Sequence, residues 1–589
     1  MPNYTPPVDD MMFLLNEVFG FETLMQQLPG HEDTGADLAA SILEEAGKFC
    51  VEVVEPINQS GDAEGSRLEN GVVKTPKGFP EAYAKFCEGG WNGLSADPEY
   101  GGQGLPRTLQ ILFDEMMSSA NLSFTLFPGL THGAIEALRH HASDELKSQF
   151  IPKMVSGEWP GAMALTEPHS GTDLGILKSR AVPQDDGSYK VTGNKIFISS
   201  GDQDFGGNVI HLVLARLPGA PEGVKGISLF LVPKFLPKAD GSLGPRNGMQ
   251  VASLEHKMGI HAQPTCAMVY EDAVGWMVGE PNRGLNAMFT MMNAERLFVG
   301  IQGLAVGEAA YQKAQAYAKE RLQGRSADGS KGPVPIIEHA DVRKMLLVGR
   351  ALTDAGRALA VWTALEMDKA ERHPDATVRQ EADQMIALMT PVIKAALSDF
   401  GFEIAVASQQ VFGGHGYIRE WGMEQLVRDA RIAMIYEGTN GVQAMDLVTR
   451  KLSMGGGALP RRFFQLVEGE LEALSGTPGI EEFVSPVMQS LARLERVTTF
   501  LQKKGNDVSE LGAAATDYLR LFALTSYGWM WARMVAEALK AGNNATPLHH
   551  RKIAVARFFM NRLLPQTLSL EHTVLAGAAP VMELEAALF

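Results

Sequence analysis

The chain has 589 residues, of which 45% are apolar and 21% are charged. This length exceeds what one hydrophobic core organises, so we expect several packed units, and the composition excludes a disordered or fibrous chain. The 69 acidic residues outnumber the 52 basic ones, and the net charge of -17 disfavours an extended surface for nucleic acid or anionic lipid.

Cysteine usage and the N-terminal sequence both favour a cytoplasmic protein. Cys50, Cys87 and Cys266 are odd in number and widely spaced, which disfavours a disulfide framework or a metal site. Asp9 and Asp10 lie where a signal peptide needs basic residues, and the nearby apolar run is too short to span a bilayer. We therefore expect a cytoplasmic chain without a metal ion, bound nucleic acid or stable membrane insertion.

The spacing of apolar residues divides the chain into five regions. After an N-terminal extension at 1–35, residues 36–158 show the three- and four-residue spacing of helices, as in DLAASILEEAGKFCVEVVEPIN. Residues 159–284 contain short apolar runs bounded by turn residues, as in VIHLVLARL, which predict a middle β domain. Helical periodicity returns in 285–450, predicted to be a helical bundle, and in 451–589, predicted to be an extra C-terminal helical domain. The fold class is therefore multidomain α+β.

The first informative motif is MALTEPHSGTDLG, which begins at Met163 and leads into the predicted β domain. It could be a simple turn. Alternatively, the backbone and hydroxyl groups of Leu165, Thr166, Gly171 and Thr172 could approach a flat cofactor and a phosphate, since small residues allow close access to the backbone.

The second motif is KIFISSGD, in which Phe197 comes two residues before Ser199. On a strand, side chains two residues apart point to the same face, so this pair could line a ligand. The alternative is a core phenylalanine beside a surface serine.

The third motif, QVFGGHGYIREWGMEQLVRDARIAMIYEGTNGVQ, begins at Gln410 and includes the glycine pair Gly413 and Gly414. Near its end, Glu437 stands between the apolar run IAMIY and a glycine. Partial burial there would favour a general base, whereas the alternative is a surface glutamate at a helix end.

Together, and in this order, the three motifs resemble those of the acyl-CoA dehydrogenase family over residues 36–450. The matching patterns are Thr-Glu-Pro from Thr166, Phe-Ile-Ser from Phe197 and Tyr-Glu-Gly-Thr from Tyr436, although many relatives carry tryptophan at the position of Phe197. The resemblance implies a helical, β-barrel-like and helical subunit with FAD between the middle domain and the bundle. It also implies a homodimer or homotetramer.

The resemblance further implies a set of binding residues. Those implied for FAD are Met163, Leu165, Thr166, Gly171, Thr172, Phe197, Ser199, Gln410, Gly414 and Thr439. Those implied for the acyl-CoA substrate are Thr172, Arg296, Tyr436 and Gly438. Arg296 could instead form a structural ion pair with Glu295. Relatives usually have Phe-Gly shortly after the arginine in this chain's ERLQGRS, so contacts of Arg321 and Gln323 with FAD phosphates stay open.

By the same resemblance, Glu437 would remove the α-proton of an acyl-CoA thioester while a hydride leaves the β-carbon for FAD. The product would be a trans-2-enoyl-CoA, and an electron-transfer flavoprotein would accept the electrons. Some branches of the family place the base on the helix that carries Glu295. The intact Tyr-Glu-Gly-Thr run favours Glu437, with Glu295 in a structural role.

The N-terminal extension and the C-terminal helical region resemble a bacterial subgroup that includes 3-(methylthio)propanoyl-CoA dehydrogenases of dimethylsulfoniopropionate breakdown. That thioester is therefore the preferred substrate, and ordinary short- to long-chain acyl-CoAs are the alternative. A DNA-associated alkylation-response flavoprotein would need a basic face, which the acidic total disfavours. Glu437 also disfavours a noncatalytic assembly protein, which would have lost the base. A nitroalkane-oxidase-like activity is disfavoured as well, because such an enzyme would usually have aspartate at the position of Glu437.

Overall fold

The computed structural model describes residues 4–330 and 332–589, which form two compact units. Unit 1 comprises Met1–Gly47, Pro106–Ser119 and Val299–Phe589, and unit 2 comprises Lys48–Leu105 and Ala120–Phe298. Helices precede and follow a central block of strands, in the order that the apolar spacing predicts.

Short and medium-length helices fill the first part of the chain. They are α1 (Val8–Phe13), α2 (Phe21–Met25), α3 (Ala36–Phe49), α4 (Asn58–Glu64), α5 (Phe79–Glu88), α6 (Arg107–Ala120), α7 (Leu122–His141) and α8 (Asp144–Val155). A hairpin of β1 (Arg67–Glu69) and β2 (Val72–Lys74) lies between α4 and α5 in the sequence. Asn121 and Ser143 begin α7 and α8 as N-caps, because their side-chain oxygens accept otherwise unpaired backbone N–H groups.

The middle of the chain forms the predicted β domain within unit 2. Its strands are β3 (Gly161–Ala164), β4 (Arg180–Pro183), β5 (Tyr189–Ser199), β6 (Ile210–Arg216), β7 (Ile227–Pro233), β8 (Phe235–Pro237), β9 (Leu243–Arg246), β10 (Met249–Leu254) and β11 (Thr265–Val278). Pairing runs from β11 through β5, β4, β6 and β7 and returns to β11. These five strands therefore close into a barrel, which confirms the β-barrel-like expectation.

Helices form most of the remaining chain. They are α9 (Gly284–Glu320), α10 (Ala340–Arg372), α11 (Ala376–Val411), α12 (Met423–Arg431), α13 (Asn440–Thr449), α14 (Ala458–Leu474), α15 (Glu481–Lys503), α16 (Val508–Lys540), α17 (Pro547–Arg562), α18 (Gln566–Leu575) and α19 (Ala579–Met582). The short strands β12 (Leu322–Gln323) and β13 (Val334–Pro335) pair in the connection between α9 and α10.

Strand β6 illustrates why the sequences of the barrel strands are apolar at nearly every position. Leu212 and Leu214 pack into a core shared with α7, α8 and the first turns of α9. Val213 and Ala215 point to the opposite face and pack into a second core with residues from β5, β7 and β11. Both faces of β6 are therefore buried, so alternation of side chains along the strand gives no polar face.

The central helix of the C-terminal region is α16, which packs against α10, α11, α13, α15, α17 and α18 within unit 1. Its side chains Tyr518, Tyr527, Trp529 and Trp531 are fully buried. The apolar face of the ELGAAATDYLRLFAL segment, too wide for one neighbour, is thus covered by helices on several sides. Through α16, the predicted bundle and the C-terminal extension share one core.

Among the described residues, α11 alone has the length and apolar composition of a membrane span. Its most apolar stretch is 78% buried inside the protein. That burial is typical of a core helix.

An ionic contact joins the two ends of the chain within unit 1. Asp10 of α1 lies 2.8 Å from the Lys552 ammonium of α17, and Lys552 also lies 2.9 Å from Asp354 of α10. All three side chains are almost fully buried. The N-terminal segment, the bundle and the C-terminal extension therefore meet at one buried set of charges.

Candidate active site

In unit 2, the end of β3 lies beside β5. The backbone carbonyl of Thr166 accepts a hydrogen bond from the backbone N–H of Ile196 at 2.9 Å. Leu165 is buried, whereas Met163 and Thr166 are half-buried. The first motif and the second motif of the sequence are thus neighbours in the fold.

The loop after Thr166 is open to solvent at Gly171 and Thr172. A Cβ atom at Gly171 would have no neighbouring atom within 4 Å. The loop keeps its shape because Ser170 donates to the backbone oxygen of Asp173 at 2.7 Å. Its backbone is therefore accessible to a ligand, as expected for a residue pair that approaches a cofactor.

A buried ion pair fixes this loop from beneath. The Lys195 ammonium lies 2.9 Å from a carboxylate oxygen of Glu167 and donates to the backbone oxygen of Leu165 at 2.8 Å. The Glu167 carboxylate also accepts hydrogen bonds from Ser179 and from the backbone N–H of Lys178. Both members of the pair are more than nine-tenths buried, so the loop and β5 are held together by a charged contact out of water.

The electrostatics of this pair keep both groups ionised at neutral pH. Burial lowers the pKa of Lys195 to about 8, although Glu167 opposes the shift. Burial would raise the pKa of Glu167, but Lys195 and the hydrogen-bond donors around the carboxylate outweigh it and lower the pKa. Lys195 was not among the residues predicted from the sequence, although a lone lysine in the apolar strand KIFIS was a signal for it.

Phe197 has an unusual backbone conformation for a large side chain. Its φ is +59°, in the left-handed region, and it lies where β5 and β11 lose their regular register. The ring is 60% exposed, Ser199 is half-buried, and Ile198 between them is buried. The side chain of Phe197 is thus exposed at an irregular point of β5, where the alternation on which the prediction relied is interrupted, and strain at such a residue is typical of a functional position.

Glu295 and Arg296 lie on α9 and are both at least nine-tenths buried. Arg296 donates to the side chain of Asn293 at 3.2 Å. Glu295 packs against α7 at Gly133, where an added Cβ would come within 2.6 Å of its carboxylate. Glu295 therefore occupies a closely packed position between two helices of unit 2.

In unit 1, Glu437 lies in the loop between α12 and α13 and is half-buried. Glu437 and Gly438 both have left-handed backbones, with φ of +56° and +79°. Just before them, the Tyr436 hydroxyl donates to the side chain of Gln302, which is fully buried on α9. A non-glycine residue in this conformation is strained, so the surroundings must hold the loop.

Contacts on both sides of Glu437 hold it. Thr439 is the N-cap of α13, with its hydroxyl accepting from the backbone N–H of Val442 at 3.1 Å. Gln443 donates to the backbone oxygen of Glu437 at 3.3 Å, and Lys394 donates to that of Gly438 at 2.9 Å. The sequence analysis did not identify Lys394, although a single lysine in the apolar PVIKAAL segment of α11 was a signal for it.

Gln410 lies in the last turn of α11 and Gly414 lies in the turn that follows it, and both are exposed. Sixteen residues separate Gln410 from Lys394, which corresponds to about 24 Å along the helix. A Cβ at Gly413 or Gly414 would meet no atom within 4 Å. Tyr436, Gly438 and Thr439 flank Glu437 in the same loop, whereas Gln410 lies about 24 Å along α11 from Lys394, which contacts that loop.

Arg321 and Gln323 lie on the exposed segment that follows α9. Gln323 pairs with Val334 in the small β12–β13 ladder, and its backbone oxygen lies 2.8 Å from Nε2 of His339. The ladder fixes the course of this backbone, while both predicted side chains stay open to solvent.

The residues of unit 2 fit a flavin ring. They provide an exposed aromatic side chain on a strained strand, a half-buried hydroxyl beside it and a glycine-bearing loop with accessible backbone. Unit 1 provides a half-buried carboxylate in a fixed loop, which suits proton transfer. Among the described residues there is no group of acidic, histidine or cysteine side chains that could hold a metal ion.

Family models match nearly the whole chain. They are the N-terminal domain of acyl-CoA dehydrogenase at 38–158, its middle domain at 162–273 and its C-terminal domain at 282–452. A further model, acetyl-CoA dehydrogenase C-terminal like, matches 463–585.

Individual proteins match along the same length. The 3-methylmercaptopropionyl-CoA dehydrogenase of Ruegeria pomeroyi is 42% identical, with 97% of each chain covered. A butyryl-CoA dehydrogenase of Syntrophomonas wolfei is 33% identical, with 96% of this chain and 95% of that protein covered. The crystal structure of an acyl-CoA dehydrogenase of Bacillus anthracis complexed with FAD has a TM-score of 0.76 at 21% identity, covering 96% of this chain and 91% of that one.

Proposed function

Because the chain belongs to the acyl-CoA dehydrogenase family of FAD-dependent oxidoreductases, we propose that it oxidises 3-(methylthio)propanoyl-CoA to 3-(methylthio)acryloyl-CoA. The observation that carries this substrate is the 42% identity with 3-methylmercaptopropionyl-CoA dehydrogenase over 97% of both proteins. The match extends over nearly the full length of both chains, whereas a shorter relative matches over 65% of this chain.

Glu437 removes the α-proton of the thioester in this proposal. The α-carbon is a weak acid, so charge that develops on the thioester oxygen has to be stabilised by hydrogen bonds, typically worth several kcal/mol. The backbone N–H of Glu437 is one proposed donor. A base and a donor on the same residue need a fixed backbone, which is what the restrained left-handed conformation of Glu437 and Gly438 supplies.

FAD, when bound, supplies the acceptor for the hydride that leaves the β-carbon. The residues proposed to hold it are Met163, Leu165, Thr166, Gly171, Thr172, Phe197, Ser199, Gln410, Gly414 and Thr439. The residues proposed to hold the acyl-CoA are Thr172, Arg296, Tyr436 and Gly438. Together, the proposed FAD and acyl-CoA residues orient the substrate and keep water from the reacting carbons.

The distance of about 24 Å along α11 between Gln410 and Lys394, which contacts the loop of Glu437, supports one refinement. Gln410 and Gly414 are too far from the base to contact the reacting end of the cofactor, so we assign them to its adenine end. We further propose a cytoplasmic homodimer or homotetramer that passes its electrons to an electron-transfer flavoprotein.

A general acyl-CoA dehydrogenase is the second candidate. It is favoured by the 33% identity with butyryl-CoA dehydrogenase, which also extends over nearly the full length of both chains. A thioether and a methylene differ little in size. The two candidates are therefore distinguished by whether the acyl pocket prefers sulfur to a methylene group at one position of the chain.

The test is anaerobic mixing of the FAD-loaded protein with thioesters while flavin bleaching is followed. Pentanoyl-CoA is the matched control, because it carries a methylene in place of the sulfur of 3-(methylthio)propanoyl-CoA. We expect the sulfur compound to bleach the flavin more efficiently than pentanoyl-CoA, and at least about tenfold more efficiently than butanoyl-CoA, whose chain is shorter by one atom. Equal or better bleaching by pentanoyl- or butanoyl-CoA would indicate the general enzyme, and no bleaching by any thioester would refute both candidates.

A further inference from the structure

The loop that carries Glu437 is restrained by residues outside the set assigned so far. Left-handed backbone at two consecutive positions, Glu437 and Gly438, is held only where the surroundings fix it. The carbonyl of Gly438 accepts a hydrogen bond from the Lys394 ammonium at 2.9 Å. Lys394 thus contacts the Gly438–Thr439 peptide, one peptide beyond the proposed base.

Lys394 belongs to a small polar cluster on α11. Its side chain has no exposed surface, and besides Gly438 it donates to the side-chain oxygen of Asn440 at 2.8 Å. The amide nitrogen of Asn440 donates to Asp399 at 2.6 Å and to Ser398 at 3.0 Å. Asn440 therefore connects a buried cation to a carboxylate, and its amide orientation is fixed by a donor on one side and acceptors on the other.

The residues of this cluster lie on two helices, α11 and α13. Lys394, Ser398 and Asp399 come from two successive turns of α11, a helix buried along most of its length. Asn440 is the first residue of α13, which packs against α16. The loop that carries Glu437 is therefore anchored on α11 and on α13.

The C-terminal extension supports the same part of α11. Arg520 of α16 forms an ion pair with Glu403 at 2.6 Å. Its guanidinium also lies over the ring of Phe400 at 4.9 Å from the centroid. Phe400 is adjacent to Asp399 in the sequence, so the extension contacts α11 within one turn of the cluster.

We propose that Lys394 is a positioning residue for Glu437, acting through the carbonyl of Gly438 and through Asn440. This proposal rests on the proposed function, in which Glu437 is the base. The contacts on which this assignment rests are those of the Lys394 ammonium with the carbonyl of Gly438 and the side chain of Asn440. It fixes the Gly438–Thr439 peptide and so restrains the loop that carries the carboxylate and the backbone N–H of Glu437. The charge of the ammonium makes that contact stronger than a neutral hydrogen bond.

The experiment compares Lys394→Met and Asn440→Ala with Lys552→Met as the control. Lys552 is an equally buried lysine of unit 1, and its partners Asp10 and Asp354 do not belong to the base loop. If Lys394→Met does not fold, Asn440→Ala still tests the proposal through the contact of Lys394 with Asn440, which is only partly buried. All variants are studied as FAD-loaded protein.

Two rates are measured. The first is flavin reduction by saturating 3-(methylthio)propanoyl-CoA. The second is exchange of the α-protons of (methylthio)acetyl-CoA with D₂O, which reports the base alone because sulfur at the β position leaves no hydride to transfer. A misplacement of about 1 Å can cost on the order of 10²-fold, so we expect both rates to fall by about that factor in Lys394→Met and Asn440→Ala. The KM and the FAD content should change little, and Lys552→Met should keep both rates.

Exchange and reduction within about twofold of wild type in both loop variants would overturn the positioning role, as would an equal loss in Lys552→Met. Failure of the proposed function is a different result, in which the wild-type protein itself neither exchanges α-protons nor reduces its flavin with any thioester.

Discussion

Replacing Arg357 by methionine should remove a large part of the stability of unit 1. Arg357 of α10 is 1% exposed, and its guanidinium lies 2.6 Å from Glu115 of α6 and 2.8 Å from Glu308 of α9. Glu115 receives further hydrogen bonds from Nε of Arg357. One substitution therefore deprives two buried carboxylates of a partner.

The size of the stability loss follows from the two buried carboxylates that remain after the arginine is removed. Removing one member of a buried ion pair costs about 3–5 kcal/mol, because the remaining charge is neither paired nor hydrated. Glu115 loses the partner of its three hydrogen bonds, whereas Glu308 keeps its contact with Arg350. The double variant Arg357→Met with Glu115→Leu should be at least about 1 kcal/mol more stable than the single variant, since no unpaired Glu115 carboxylate remains.

The assay is urea unfolding followed by tryptophan fluorescence and circular dichroism, with the free energy extrapolated to water. The control is Arg557→Met, which breaks an ion pair of 2.6 Å with Glu482 whose side chains are 51% and 45% exposed. An exposed pair contributes about 1 kcal/mol at most, so the control should be nearly as stable as wild type.

The loss of unfolding free energy in Arg357→Met should also depend on pH. Burial alone would raise the pKa of Glu308, but Arg350 and Arg357 outweigh burial and lower it from 4.5 to about 2. A carboxylate with a lowered folded-state pKa stabilises the protein above its unfolded pKa, and this stabilisation is lost as the pH falls to about 2. The difference between wild type and Arg357→Met should therefore narrow from pH 4.5 downward.

A loss of less than about 1 kcal/mol in Arg357→Met, or a double variant less stable than the single one, would show that the charges in this cluster are not desolvated as their burial indicates.

Two further predictions concern the reacting groups. Glu437→Gln should keep FAD and thioester binding but slow flavin reduction by at least about 10²-fold, since a general base is lost, whereas Glu295→Gln should stay near wild type. Stopped-flow reduction of both variants checks this, and the opposite ranking would transfer the base role to Glu295. Phe197→Ala should weaken FAD binding about two- to tenfold, the equivalent of one aromatic contact, and Phe197→Trp should not. Equal FAD affinity in a titration of all three proteins would remove Phe197 from the flavin site.

Local patterns in the sequence were sufficient for the order of elements. The three- to four-residue spacing around α3 and the apolar runs of β6 and β7 depend only on neighbours within a few positions, so they predict helix and strand directly. The motifs around Thr166, Phe197 and Glu437 are equally local. Their order along the chain was enough to indicate the family that the comparisons establish.

What the sequence could not provide is the set of contacts between distant positions. Lys394 and Gly438 are 44 residues apart, Lys195 and Glu167 are 28 apart, and Arg357 and Glu115 are 242 apart. A lone lysine or arginine in an apolar helix indicates a buried charge, but its partner depends on which helices pack together. The separation of Gln410 from Glu437 likewise follows from the length of α11 and from where the base loop docks on it.

The sequence by itself thus determined the helices and strands, the succession of motifs and the identity of the candidate base. Only the tertiary structure decided which buried charges pair, how the loop of Glu437 is held and which predicted residues lie near it. The physical reason is the separation in sequence between the residues that interact. Secondary structure and short motifs depend on residues within a few positions of one another. Ion pairs and loop contacts join segments that become neighbours only when the chain packs.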